Sequence, residues 1–309
     1  MDTKTLIKEK ARKIGFDLVG ITVLAPSKYR EMYENWLKHG MHADMDYLKR
    51  TNEVRLSPLL KFSWAKSIVM VGVNYYQGPL PDLKKGEVRI SRYAIARDYH
   101  LVLTEMLKEL SLFITSKTKS RRTKYYTDTG PIMEKELAQR AGLGWIGKNT
   151  LLITEEFGSW VFLGEILLDI TLKPDKPSID RCGDCKLCLD SCPTNAIIKP
   201  HCLNANLCTS YQTTENRRDL PDWFPSIGNP FIFGCDICQE VCPFNRNAKI
   251  TNIKDFLPQK PLINPNIEYL GRLSRDKFKS IFRETPIEWA GWDIFTRNIR
   301  AFSKKDKRA

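Results

Sequence analysis

Cys182-Gly-Asp-Cys185-Lys-Leu-Cys188-Leu-Asp-Ser-Cys192-Pro193 has the spacing C-x2-C-x2-C-x3-C-P, which is typical of the cysteines that bind iron–sulfur clusters in bacterial ferredoxins. Further along the chain, Cys235-Asp-Ile-Cys238-Gln-Glu-Val-Cys242-Pro243 repeats the second half of this signature. Thiolates three positions apart on a turning backbone can reach successive iron corners of one cubane. The two runs therefore predict a ferredoxin-like segment with two 4Fe-4S clusters.

The spacing also predicts which cysteines share a cluster, because the cysteine before proline binds the other cluster in two-cluster ferredoxins. One cluster then takes Cys182, Cys185, Cys188 and Cys242. The other takes Cys192, Cys235 and Cys238, and it needs a fourth ligand because the second run lacks its first cysteine. The remaining cysteines are Cys202 and Cys208, and spacing alone does not choose between them.

Zinc is the alternative ligand for these thiols, since C-x2-C pairs also form zinc sites. Zinc ribbons rarely use three cysteines in the spacing C-x2-C-x2-C, and zinc does not account for the two Cys-Pro endings. The chain has nine cysteines. An odd number at metal-ligand spacing argues against a disulfide framework and favours a reducing cytosol.

The length of 309 residues exceeds one typical domain. We expect a chain of mixed α+β and α/β class with an α/β domain over 1–175, a ferredoxin-like domain over 176–249 and a basic helical segment over 250–309. The N-terminus has no apolar h-region, and the apolar stretch Trp160–Leu172 is interrupted by Glu165 and Asp169. We therefore expect a cytoplasmic protein without a membrane segment.

The charge is strongly positive, with 49 Lys and Arg against 36 Asp and Glu and a formal net charge of +13. This balance favours a phosphate-rich partner, of which nucleic acid is the usual one. Ordinary solubility or attraction to anionic lipid is the alternative explanation. Charge does not distinguish DNA from RNA.

Hydrophobic periodicity predicts the main elements of the first domain. These are a helix over 3–14, a strand over Leu18–Val23, a helix over Ser27–Lys49, a strand over Ser67–Tyr76, a helix over Asp98–Thr115 and a strand-rich region over Gly158–Leu172.

The run Lys124–Glu136 predicts a strand, a tight turn and a helix with Pro131 at its first position. Asp128 then lies at a strand end before a helix, where α/β sheets place ligand-contacting residues. A plain turn or N-cap role fits the local sequence equally well. After the helix, Gly142, Gly144 and Gly147 permit close approach of a flat or phosphate-bearing ligand, or form a simple connection.

Two clusters form a path for electrons, and that path needs an acceptor. Electron carriage alone does not require the long α/β part that precedes the cysteines. We therefore expect a redox enzyme whose first domain holds a substrate or a second cofactor.

Several further motifs accompany the cysteine runs, namely Ser91-Arg-Tyr-Ala94, Asp98-Tyr-His100, Asp128-Thr-Gly-Pro131, Gly142-Leu-Gly-Trp-Ile-Gly-Lys-Asn-Thr150, Gly158-Ser, Phe162-Leu-Gly-Glu165 and Cys208-Thr-Ser-Tyr211. With these motifs the sequence resembles the epoxyqueuosine reductase family over nearly its whole length. The resemblance implies a cobalamin-dependent enzyme with two 4Fe-4S clusters that reduces epoxyqueuosine at the wobble position of tRNA to queuosine. It also implies a corrinoid-binding first domain similar to that of reductive dehalogenases.

The resemblance assigns roles to individual residues. Asp128 matches the proton donor proposed in the family, and Cys208 matches the remaining cluster ligand, which leaves Cys202 as a free thiol. The implied corrinoid contacts are Ser210, Arg217, Cys235 and Asp236 on the cluster side and Arg55, Lys148, Asn149 and Ile153 on the side of the first domain.

The implied partners are a tRNA with a queuosine-type wobble nucleoside and an external low-potential electron donor, and we expect a monomer. The expected footprint of the tRNA phosphates comprises Lys254, Arg272, Arg275, Lys277, Lys279, Arg297 and Arg300. Longer members of the family continue into a helical-repeat tail that helps to hold tRNA. In its absence we expect either that the shorter surface is sufficient to bind tRNA or that the affinity for tRNA is lower. Catalysis should not depend on this tail.

Three rival hypotheses remain open at this point. One is a corrinoid enzyme that acts on a small molecule, as dehalogenases do, although the positive charge weighs against it. The others are a polyferredoxin electron carrier and a zinc-stabilised nucleic-acid binder.

Overall fold

A computed structural model describes residues 2–303, apart from the side chains of Pro225 and Ser226. The last six residues of the predicted C-terminal segment lie outside this part. The α-helices within it are α1 Thr3–Ile14, α2 Arg30–Lys38, α3 Asp46–Arg50, α4 Asn52–Leu56, α5 Tyr99–Lys117, α6 Glu134–Arg140, α7 Leu187–Asp190, α8 Thr209–Thr214, α9 Ile237–Glu240, α10 Ile267–Gly271, α11 Arg275–Ile281, α12 Pro286–Ala290 and α13 Trp292–Ser303. The strands are β1 Leu18–Thr22, β2 Ser67–Asn74, β3 Arg89–Ile90, β4 Thr123–Tyr126, β5 Trp145–Ile146, β6 Leu152–Ile153, β7 Val161–Leu168, β8 Ile197–Lys199, β9 Cys202–Leu203 and β10 Phe231–Phe233.

The first half of the chain is built on a four-stranded sheet of order β1-β2-β7-β4. Every pairing in this sheet is antiparallel. Helices α1 and α5 cover one face and α6 covers the other, so all residues of β2 are buried. Burial on both faces explains the nearly continuous apolar sequence, which is also the pattern of parallel strands. The sheet belongs to the α+β class, which corrects the α/β assignment of this domain.

Several predicted elements are confirmed, whereas two differ. Helix α1, strands β1 and β2 and helix α5 lie where the periodicity places them. The predicted helix Ser27–Lys49 is wrong as one element, because Gly40 (φ 63°) and Ala43 (φ 52°) take left-handed conformations between α2 and α3. Pro131 does not begin a helix, since the turn continues until α6 starts at Glu134.

The second half of the chain folds around the cysteine runs, and short helices α7 and α9 lie within them. Strand β10 pairs in parallel with β3 of the first half. The C-terminal helices close a separate core over this pair, with Phe278, Phe282 and Phe295 among its buried residues. The division into 1–175, 176–249 and 250–309 stays a prediction, and contacts cross both of its boundaries.

None of the helices in the described part of the chain combines the length and the apolarity that a bilayer span requires.

Candidate active site and cysteine groups

The first predicted cluster set lies together in the structure. Its members line one small cavity, and they are Cys182, Cys185, Cys188 and Cys242. Burial and the charges of the other three thiols of the group together raise the pKa of Cys188 to about 11. All nine cysteines are free thiols. Four thiols around one void fit a 4Fe-4S cluster, whose irons supply the positive charge that buried thiolates need.

The second set also lies together, and it includes Cys208. Burial raises the pKa of Cys238 well above its ordinary value, and the charges of Cys235, Cys208 and Cys192 act in the same direction. The Cys208 thiol accepts hydrogen bonds from the backbone N–H groups of two residues in α8. This position fits the predicted fourth ligand of the second cluster.

Cys202 lies elsewhere. Its Sγ is 3.9 Å from Sδ of Met41, and its side chain borders the large cavity described below. Within residues 2–303, no three His, Cys, Asp or Glu side chains are arranged to hold a single metal ion.

Three predicted corrinoid contacts, Lys148, Asn149 and Ile153, line the small cavity of the first cysteine group. Lys148 Nζ donates hydrogen bonds to the carbonyl oxygens of Gly183 (2.5 Å) and Cys185 (2.9 Å). Asn149 and Ile153 are buried. These residues support the first cysteine loop, and their contact with a corrinoid stays a prediction.

Asp236 and Arg217 are held by contacts within the protein. Asp236 is 1% exposed, and its carboxylate accepts hydrogen bonds from Ser91 Oγ (2.5 Å) and the Arg92 N–H (2.7 Å). Arg217 donates to the carbonyl oxygen of Ala290 at 2.8 Å. Asp236 therefore ties the end of β3 to the second cysteine loop.

A large cavity of about 330 Å³ opens beside the sheet, on the side of α2 and α6. Its lining combines aromatic and apolar side chains with a few charged ones. It includes Tyr29, Tyr33, Trp36, Arg55, Asp128, Ile132, Glu134, Lys135, Thr150, His201 and Cys202. Arg55 donates to the carbonyl oxygen of Ile132 at 3.2 Å, and its guanidinium lies 5.9 Å from the ring of Tyr47.

Asp128 is fixed at the wall of this cavity. Its φ is 59°, in the left-handed region that aspartate tolerates better than most residues. The backbone N–H donates to Glu134 Oε1 (2.7 Å), and the carboxylate accepts a hydrogen bond from the Tyr99 hydroxyl (2.8 Å). His100 Nε2 lies 3.8 Å from the same carboxylate. The side chain is 65% exposed, so the carboxyl group is open to a ligand.

Tyr99 and His100 belong to the Asp98-Tyr-His100 motif, for which the sequence alone predicts no individual roles. Burial alone lowers the pKa of His100, but the hydrogen bond to Asp98 and the charges of Asp98 and Asp128 raise it above its ordinary value. Burial and the charge of Asp128 raise the pKa of Tyr99, which keeps its hydroxyl protonated as a donor. Both residues therefore position the Asp128 carboxylate.

Sequence reasoning missed a pair of carboxyl groups behind Asp128. Glu165 of β7 is fully buried, and neither of its carboxyl oxygens has a hydrogen-bond partner of good geometry among residues 2–303. Burial, together with the charge of Asp128, raises the pKa of Glu134 to about 7. Burial and the neighbouring Glu134 charge raise the pKa of Glu165 well above its ordinary value.

The predicted basic footprint is mostly available at the surface. The exposed members are Lys254, Arg272, Arg275, Lys277, Lys279 and Arg300. Arg297 is partly buried and donates hydrogen bonds to the backbone carbonyls of Gln212, Asn216 and Arg218. Its role is therefore to hold the chain between the cysteine runs.

Comparison with known proteins identifies the arrangement. Residues 55–129 match the family model described as epoxyqueuosine reductase QueG, DUF1730, and residues 181–245 match a 4Fe-4S double cluster binding domain. The epoxyqueuosine reductase of Synechocystis sp. is 40% identical over 273 residues, which cover 87% of this chain and 93% of the relative. That of Escherichia coli is 37% identical over 300 residues, which cover 95% and 78% respectively.

Solved structures agree with these sequence relatives. A crystal structure of epoxyqueuosine reductase with an epoxyqueuosine-modified tyrosine tRNA stem loop has a TM-score of 0.90 and 32% identity, covering 100% of this chain and 83% of the other. A Bacillus subtilis epoxyqueuosine reductase with its catalytic aspartate loop swung out of the active site has a TM-score of 0.88 and 30% identity, with the same coverage.

The fold and the paired cysteine groups thus define an oxidoreductase with two 4Fe-4S clusters. The zinc and electron-carrier hypotheses are therefore wrong. The chain belongs to the epoxyqueuosine reductase family. The cofactors of this family are two 4Fe-4S clusters and cobalamin.

Proposed function

We propose that this protein reduces epoxyqueuosine in tRNA to queuosine in the large cavity, with Asp128 as the proton donor. The observation that carries this proposal is the position of the Asp128 carboxyl group, which is exposed at the cavity wall and held by Tyr99. The match to epoxyqueuosine reductases over nearly the whole chain supports the substrate. We further propose a cytoplasmic monomer that receives electrons from an external low-potential donor.

The cavity lining fits a corrinoid. Tyr29, Tyr33 and Trp36 provide an aromatic wall in which Tyr33 and Trp36 are stacked, and Arg55 and Lys135 add hydrogen-bond donors. This combination suits a planar ring whose edge carries amide groups. When bound, cobalamin supplies low-potential electrons to the substrate.

The proposed corrinoid contacts differ in their position. Arg55 lines the large cavity. Ser210, Cys235 and Asp236 lie at the second cysteine group, where they would approach the ring from the cluster side. In this proposal, electrons leave the protein's clusters toward the corrinoid from the second cysteine group.

In this proposal Asp128 donates a proton to the oxygen that becomes negatively charged during the reaction. Reductive opening of an epoxide places negative charge on the departing oxygen, and an unprotonated alkoxide in a water-poor cavity raises the barrier. The Tyr99 hydrogen bond and His100 orient the Asp128 carboxyl group. The nucleoside reaches this group because anticodon-loop bases can be splayed out of their stack.

The test is turnover by the reconstituted protein. The protein is loaded anaerobically with iron, sulfide and cobalamin, and mixed with a strong reductant and epoxyqueuosine-containing tRNA. Mass spectrometry of the digested nucleosides should show loss of one oxygen atom. Fully loaded protein that leaves epoxyqueuosine unchanged but reduces a halogenated small molecule would favour the dehalogenase-like alternative.

A further inference from the structure

The proposed reaction needs two protons. An epoxide, two electrons and two protons give an alkene and one water, because both carbon–oxygen bonds break and the oxygen leaves with two hydrogens. A carboxyl group such as that of Asp128 can supply one of the two before it has to be reprotonated. A second donor near the same oxygen completes the balance.

Glu134 and Glu165 are placed for this role. Glu134 lines the large cavity beside Asp128, whose backbone N–H it binds at 2.7 Å. Glu165 lies behind it on β7, opposite Tyr126 of β4 and Met70 of β2. The Glu165 carboxyl group faces that of Glu134 and has no cation as a partner among residues 2–303.

Burial makes this pair hold a proton. Two carboxyl groups in contact away from water do not both ionise, because desolvation and mutual repulsion oppose the second charge. The other titratable groups that act on the pair are Asp128, Lys135, Tyr99, His100 and Tyr126. The Lys135 ammonium donates to the carbonyl oxygen of Thr150 (2.8 Å), and its charge lowers the pKa of Glu134 without offsetting the effect of burial.

We propose that the Glu134–Glu165 pair stores the second proton of the reduction and delivers it through Glu134 to the departing oxygen. This inference rests on the proposed function. The first carbon–oxygen bond breaks as Asp128 protonates the oxygen to a hydroxyl. The second breaks as the pair protonates that hydroxyl, so water leaves. The external donor supplies the two electrons that complete the carbon–carbon double bond, and solvent reprotonates Asp128 and the pair.

The stored proton can be observed directly in the resting protein. Infrared difference spectra recorded across a pH titration should show the C=O stretch of a buried carboxylic acid at neutral pH, shifted in D2O. Glu165→Gln should remove the band of the fully buried acid, and Glu134→Gln should shift its frequency, because Glu165 stays buried but loses its carboxyl neighbour. Glu109→Gln is the control, because Glu109 is paired with Lys10 on the outer surface of α5 and should leave the band unchanged.

Single-turnover kinetics test delivery. The wild-type rate should fall as pH rises through about 7, where Glu134 loses its proton. Glu134→Gln should lack this limb and be about 100-fold slower on its acidic side, as expected for loss of a general acid. Glu165→Gln should displace the limb, because Glu134 loses its carboxyl neighbour. In Glu134→Gln the side-chain amide oxygen can still accept the Asp128 N–H, so the turn is preserved in that variant.

The outcomes separate this inference from the proposed function. A wild-type pH profile in both Glu→Gln variants, or a wild-type infrared spectrum without the carboxylic acid band, overturns the role of the pair even where Asp128→Asn is inactive. Full turnover by Asp128→Asn instead overturns the proposed role of Asp128, and the infrared band then still reports whether the pair holds its proton.

Discussion

Two hydrogen bonds hold Asp128 in place. Its backbone N–H donates to the Glu134 carboxylate, and its own carboxylate accepts from the Tyr99 hydroxyl. A left-handed residue at a turn is strained for most side chains, and such strain is common where geometry serves a site. The same contacts exclude the N-cap role, since α6 begins only at Glu134.

Replacing Asp128 by Asn should abolish turnover without unfolding the protein. The amide can accept the Tyr99 hydrogen bond, but it does not release a proton, so we expect a loss of at least about 100-fold in single-turnover rate. Cluster and cobalamin content, measured by iron analysis and visible absorption, should be unchanged. Asp17→Asn is the matched control, because the Asp17 carboxylate accepts the Asn74 N–H outside the cavity. Unchanged turnover in Asp128→Asn would contradict the proposed role.

At this scale the sequence predicts residues that lie in motifs and misses those made important by packing. The Asp-Thr-Gly-Pro motif is sufficient to predict Asp128 from the sequence. The rule that ligands lie at the strand ends of α/β sheets also points to Asp128, but it does not apply here because the sheet is antiparallel. Glu134 resembles an ordinary first-turn acid. Glu165 resembles a simple interruption of an apolar run, because its complete burial depends on β2, β4 and α6 meeting around it.

At the scale of elements, the two cysteine runs exchange their last ligands. The short helices α7 and α9 end just before Cys192 and Cys242, and each of these cysteines lies with the opposite set. Each predicted cluster therefore depends on both runs. The helix α8 adds Cys208 at its N-terminus, where backbone N–H groups face the thiol.

Cys208→Ala and Cys202→Ala should behave differently. Loss of Cys208 removes a ligand of the second set, so we expect about half of the iron to be lost. Cys202→Ala should keep its full iron content, because Cys202 borders the large cavity and contacts Met41. Iron and sulfide analysis of anaerobically reconstituted protein measures both. The reverse pattern would exchange the two assignments.

Element boundaries are predictable where periodicity is strong and poorly predictable where one residue breaks a helix. Helix α5 has a clear apolar period in the sequence, whereas the break after α2 depends on Gly40 and Ala43. The glycine loop illustrates a second limit. A Cβ at Gly144 would lie 2.2 Å from the carbonyl oxygen of Ile153, so this glycine permits close packing within the protein.

At the scale of the whole molecule, the pair formed by the partly buried Glu134 and the fully buried Glu165 links stability to pH. The folded pKa of Glu134 is about 7 against an ordinary value of 4.5, and that of Glu165 is also raised. The folded state therefore binds more protons than the unfolded state above the ordinary value. Stability is complete below that value and is lost as pH rises through the folded pKa.

Glu165→Gln should weaken this dependence. The variant is expected to gain thermal stability relative to wild type as pH rises from about 5 to about 8, because it no longer buries an ionising group. Anaerobic melting of the reconstituted protein across this range measures the difference. His100, whose pKa is also raised, contributes with the same sign in both proteins and cancels in the comparison. Parallel melting curves at all pH values would contradict the expectation.

The pairing of β3 with β10 and the contacts of α13 determine the order in which parts of the chain can fold during synthesis. The central sheet is complete once β7 has emerged from the ribosome, so it can form on the nascent chain. The region of the second cysteine run closes later, because Asn298 of α13 donates hydrogen bonds to the carbonyls of Thr213 and Ile232. Metal loading of that region therefore belongs after α13 has been synthesised and is free to dock.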